Sequence, residues 1–120
     1  MILDSTIKLE AVLAGAVTAN QPEVHVDYED INKEGRRTNP APFRVALNNS
    51  TDVTILAAPV QNPVREPIYI SIYNKDTAAV TVTIKTDDGT TERIIFKKAI
   101  GAGETLQYNR QLGWFREAVV

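Results

Sequence analysis

The sequence predicts an all-β protein, an antiparallel β-sandwich or jelly roll with an extended N-terminal arm. Apolar and polar residues alternate with a period of two through most of the chain. Turn residues recur roughly every eight to twelve positions, spacing about seven to nine short strands. Little of the chain shows helical periodicity. At 120 residues the length suits one domain, with residues 1–20 expected as the arm and residues 21–120 as the sandwich.

The opening residues, Ile2 to Ala19, mix short apolar pairs with small side chains. Helical spacing from Ile7 to Leu13 is soon ended by Gly15 and β-branched Val17 and Thr18, so an extended arm or short strand competes with a helix there. EVHVDYEDI then alternates cleanly, with Val24, Val26 and Tyr28 on one face. NKEGRRTNPAP reads as a surface loop, because Pro40 and Pro42 cannot continue a ladder. FRVALNNSTDVTILAAP reads as two short strands about a turn at residues 48–51, where Asn and Ser side chains bond to nearby backbone. VQNPVREP reads as another loop, and its prolines place any strand there at an edge.

From Ile68 the pattern is clearest. Ile68, Ile70 and Ile72 share one face, with Tyr69, Ser71 and Tyr73 opposite. Val80, Val82 and Ile84 face inward, and Ile94 and Phe96 fall together on one side of the next strand. These three strands read as an antiparallel meander. IGAGE is a tight connection, and the remaining residues form a last hairpin with Leu106, Tyr108 and Trp114 as its bulky members.

Composition narrows the function. There is no cysteine, which excludes disulfides, thiolate nucleophiles and zinc–thiolate sites. Thirteen basic and fifteen acidic residues leave a net charge of −2, without the basic patch that nucleic acid demands. No apolar run approaches the roughly 18 residues of a membrane helix. Lys8 and Glu10 interrupt any leader-like apolar core, so the N-terminus reads as mature sequence.

The acidic turn at residues 87–92 is the first candidate for chemistry. Asp87, Asp88, Thr90 and Glu92 offer oxygens of the kind calcium takes. The alternating calcium-loop pattern is absent, however, and Asp88-Gly89 reads as a two-residue hairpin turn with positive φ at both positions. His25 stands beside Asp27, an adjacency that can orient an imidazole, but no nucleophile elbow accompanies it. GAGETL lacks the spacing of a phosphate-binding loop. The sequence therefore points to no catalytic residue, no cofactor and no metal. Tyr69 and Tyr73 share a face that is either an exposed stacking platform for sugars or, the favoured reading, a buried or interface surface.

Three blocks, MILDSTIKLEAVLAGAVTANQPEVHVDYEDI, IYNKDTAAVTVTIK and AGETLQYNRQLGW, resemble a group of small tailed-bacteriophage virion structural proteins. The resemblance covers roughly residues 1–31 and 66–115. Residues 32–43 depart from the group's threonine-rich stretch. The resemblance implies an all-β virion component that decorates or cements the head, bound to the major capsid protein and self-associated, with a trimer as the expected order. A neck, tail or baseplate accessory touching receptor sugars is the alternative. The expected contacts are Ile7, Leu9, Val12 and Leu13 on an arm able to add a strand to a neighbour. Arg36 and Arg37 in the polar loop, Pro63 in the proline loop, and Tyr69 and Tyr73 complete the set.

Overall fold

Strands that alternate apolar with polar side chains each hide one face, and two such faces close on one another. The computed structural model, which describes residues 1–117, realises this arrangement as two packed antiparallel sheets, with no helix among the described residues. Its strands are β1 (Leu3–Asp4), β2 (Lys8–Leu13), β3 (Glu23–Ile31), β4 (Arg37–Thr38), β5 (Phe43–Ala46), β6 (Val53–Leu56), β7 (Val64–Tyr73), β8 (Val80–Asp87), β9 (Glu92–Ile100), β10 (Thr105–Asn109) and β11 (Gly113–Glu117).

The larger sheet is built on the long β3–β7 pair. The other side of β3 is lined by β5 and β4, and the other side of β7 by β10 and β1, with β11 beyond β10. The smaller sheet runs β6-β2-β8-β9. Leu9, Ala11 and Leu13 of β2 and Val82 and Ile84 of β8 meet Val24, Val26, Ile70, Ile72 and Leu106 of the larger sheet in a continuous buried core. At one open side, Trp114 stacks on Phe96 with ring centroids 5.3 Å apart and lies 5.1 Å from Tyr108. That contact fastens β11 of one sheet to β9 of the other.

The sandwich is as the alternation predicts, but four expectations need correction. The N-terminal segment is not an arm. Lys8–Leu13 is an inner strand with β6 on one side and β8 on the other, because every second residue of it is apolar and has a core to enter. The meander is also split, since β7 and β8 lie in different sheets and only β8 and β9 pair. Residues 74–79 carry the chain across rather than turning it back. VREP is strand rather than loop: Pro67 sits inside β7 where Ile68 is an extra residue opposite β3. A bulge is where a sheet accommodates a residue without an N–H. A second bulge at Ile95 sets Phe96 opposite Ile84 and Ile94 opposite Lys85. Ile94 and Phe96 therefore face opposite sides.

Four of the six crossings between sheets gather at one end and are joined there by polar side chains, two of them buried. Asn74 is fully buried, and its amide donates to the carbonyls of Ala78, Ile100 and Gly101 at 3.0 to 3.1 Å. Its Oδ1 accepts from the Asp76 N–H at 3.0 Å. The Asp76 carboxylate in turn accepts from the N–H groups of Thr18, Ala19 and Asn20 at 2.8 to 3.1 Å. Asn49, the one non-glycine at positive φ among the described residues, accepts from Val17 N–H and Gln21 Nε2. Four connections are thus tied together by three side chains.

Two outcomes follow. Asn74→Ala removes the side-chain amide shared by three carbonyls and the acceptor of the Asp76 N–H, and lowers unfolding stability by about 3 kcal/mol, measured by urea denaturation. Asp76 is held down to about 2 by the Thr18, Ala19 and Asn20 N–H donors, below the ordinary 3.8. Its contribution is therefore complete above the ordinary value and is lost as pH falls toward 2, where the folded state must take up the proton. Asp76→Asn should flatten the acid limb of the stability–pH curve in that window.

Candidate functional site

The outer face of the larger sheet collects most of the accessible chemistry. On β3, Glu23, His25, Asp27 and Glu29 point away from the core, and across the ladder they meet Tyr73, Ser71, Tyr69 and Glu66 of β7. Tyr73 is 42 % exposed, whereas Tyr69 is half-buried between β3 and β10. Beside Tyr73 runs a broad groove of about 770 Å³, whose polar lining includes Asn20, Gln21, Glu23, His25 and Arg44. The Lys75 ammonium reaches Glu23 at 2.8 Å along its rim.

His25 lies within this groove. Its Nε2 is 3.2 Å from Asp27 Oδ1, and its Nδ1 accepts from Arg44 Nε at 3.4 Å. Both ring nitrogens are thereby engaged. Ser71 is directly opposite on β7, yet an imidazole so held has no free nitrogen with which to draw a hydroxyl proton. The arrangement orients a histidine without turning it on a nucleophile.

Further along the same face, four charges interlock. Arg37 Nη1 lies 3.0 Å from Glu29 Oε1 and 2.7 Å from Glu66 Oε1, and Arg110 Nη1 lies 2.8 Å from Glu29 Oε1. The Arg110 guanidinium, then that of Arg37, holds the Glu29 carboxyl below its usual range. Glu66 first and then Glu29 raise the Arg37 guanidinium further. The two arginines neutralise the two glutamates and keep the sheet surface polar beside the tyrosines.

The nine expected contact residues do not converge. Arg37, Tyr69 and Tyr73 share the outer face of the larger sheet. Leu9 and Leu13 are buried in the core, which corrects their assignment to a free arm. Ile7 packs against the core, and Val12 is half-buried on the outer face of the smaller sheet. Arg36 and Pro63 are exposed on separate turns.

The acidic turn differs from its expected form. Its loop spans residues 88–91 between paired Asp87 and Glu92, and of its residues only Gly89 has positive φ. Asp88 Oδ1 accepts from the N–H groups of Thr90 and Thr91 at 2.9 and 2.7 Å, so the Asp side chain shapes the turn. Asp87 and Glu92 instead join Glu10 of β2, with carboxylate oxygens all within 4.8 Å of one another. Sequence reasoning passed over Glu10. The only signal was a charged residue in an otherwise apolar KLEAVL run, and its meeting with residues 87 and 92 depends on the pairing of β2 with β8.

Comparison with family models, with curated proteins and with solved structures finds no match.

The charge cluster supplies a test of its own weight. Arg110 is 39 % exposed at its side chain, so Arg110→Ala should cost less than about 1 kcal/mol, shrinking further in high salt. Chemical denaturation at low and high ionic strength measures this. A salt-independent loss above about 2 kcal/mol would mark the cluster as structural rather than superficial.

Proposed function

We propose that the chain is a non-enzymatic structural protein of a tailed-bacteriophage particle, seated on the head as a decoration or cement protein. In this reading it associates with copies of itself and binds the major capsid protein. The phage setting rests on the three resembling sequence blocks. The assembly role rests on one observation, the outer edge of β9.

β9 is nine residues long and forms the end of the smaller sheet. Among the described residues nothing pairs with its outer side. Ile94 is 65 % exposed and Ile95 40 % exposed. A monomer blunts such an edge with charge or a bulge. Here Arg93, Lys97, Lys98 and the bulge frame the isoleucines without covering them. An edge of this kind takes an added strand, with main-chain hydrogen bonds supplying affinity and the exposed side chains supplying fit. It replaces residues 1–20 as the proposed assembly contact, since β2 already has partners on both sides.

The paired variant Ile94→Lys, Ile95→Lys tests this directly. Both positions are exposed, so stability should change by no more than about 1 kcal/mol in total. Incorporation into particles, followed by complementation and sedimentation, should fall about tenfold or more, equivalent to about 1.4 kcal/mol of contact. Full incorporation of the folded variant would remove β9 from the assembly account.

Tyr73 and its groove favour a second reading, a neck or tail accessory that touches receptor glycans. An exposed aromatic ring beside Asn, Gln, Glu and Arg side chains is suited to stacking on a sugar and bonding its hydroxyls. A glycan array decides this reading. Binding that Tyr73→Ala abolishes would support adhesion; no binding to any glycan would eliminate it.

A further inference from the structure

We infer that Glu10, Asp87 and Glu92 form a binding site for a hard divalent cation, calcium first, on the outer face of the smaller sheet. This goes beyond the assembly reading and does not rely on it.

Glu10 projects from β2 on the side opposite Leu9 and Ala11, yet the residue is only 5 % exposed. Its Oε2 lies 3.3 Å from Lys8 Nζ, whereas its Oε1 is sealed from solvent and has no hydrogen-bond partner among the described residues. A buried carboxylate oxygen left without a donor is costly. The surroundings of the carboxylate deepen the deficit, because Asp87 of β8 and Glu92 of β9 each bring an oxygen within 4.8 Å of one of its own. Asp52 adds a fourth carboxylate beyond Lys85.

Two cations already stand in the cluster. Lys8 reaches Glu10 at 3.3 Å and Asp87 at 3.8 Å, and Lys85 reaches Asp52 at 2.8 Å and Glu92 at 3.1 Å. Four carboxylates against two ammonium groups leave a formal charge of −2, which one divalent ion cancels. The donors are all carboxylate oxygens, without imidazole or thiolate, which selects a hard ion. Calcium is favoured because it tolerates irregular oxygen geometry and completes its shell with water. The ligands come from three adjacent strands, so the ion would clasp β9 to the sheet.

The test uses the full chain stripped with chelator, titrated at neutral pH with calcium, magnesium and manganese chlorides. Calorimetry and thermal unfolding give the readout. Calcium should bind with a dissociation constant in the range of about 10⁻⁵ to 10⁻³ M and raise the melting temperature as it saturates. Glu10→Gln should weaken binding at least about tenfold. Glu92→Gln, on the exposed edge, gives the same result if the Glu10 variant fails to fold. Asp88→Asn, whose carboxylate serves the turn, should leave binding unchanged. Absence of both heat and thermal shift with all three ions up to about 10 mM would overturn the site, since the weakest sites of this class saturate there. So would a Glu10→Gln protein that binds calcium as the unmodified chain does. A metal-indifferent chain in which Glu10→Gln raises stability by itself would instead assign the contact to a proton shared with Glu92. Particle assembly plays no part in these readouts, so their failure leaves the proposed function standing and its failure leaves them standing.

Discussion

Asn74 sits at the corner where the chain leaves the seven-stranded sheet for the four-stranded one, with its whole side chain withdrawn from water. Two apolar sheet faces attract one another without direction, and many registers between them would bury similar area. The corner supplies the direction. The Asn74 amide joins residue 78 to the start of the β9–β10 connection, its carbonyl orients the Asp76 N–H, and Asp76 gathers three consecutive amides of the β2–β3 connection. A buried polar network is unfavourable unless every member is satisfied, which makes it selective for one arrangement. Much of IYNKDTAAVTVTIK, one of the resembling blocks, is therefore the architecture of this corner.

The opposite end is held differently. Arg65 of β7 makes a two-pronged pair with Asp30 of β3 at 2.7 and 3.1 Å, donates to the Ala57 carbonyl, and lies over the Tyr28 ring at 4.6 Å. Such a pair specifies alignment more than it adds stability, since both charges give up water to form it. With both ends fixed, the exposed parts of the molecule become its long faces and its β9 edge. The tyrosine face lies on the larger sheet, whereas the edge isoleucines and the Glu10 cluster adjoin on the smaller one, with Ile94 opposite Lys85.

Period-two alternation made the fold class legible, along with strands at Glu23–Ile31 and Val80–Asp87 and the final hairpin. What escaped was everything set by long-range pairing. Residues 8–13 look like a loose apolar segment in isolation, and only the arrival of β6 and β8, more than 40 positions away in the chain, makes them an inner strand. The meander failed because a short connection such as NKDTAA serves equally to turn back within a sheet or to cross between sheets. The bulges at Ile68 and Ile95 each shift alternation by one residue and move later side chains to the other face. Glu10 was invisible for the same reason, as its companions lie roughly 80 residues further along the chain. Tyr69 and Tyr73 were placed together on one face correctly, because no bulge falls between them.

A small body locked at both ends, with an unpaired edge and a polar sheet face, suits a protein whose work is to hold neighbours in place. The most direct test of that account is the copy number of the chain in purified phage particles, by quantitative mass spectrometry against the major capsid protein. A ratio of one, or a simple fraction of it, is the predicted result and fits a component repeated over the head lattice. Complete absence from the particle would contradict the structural role altogether.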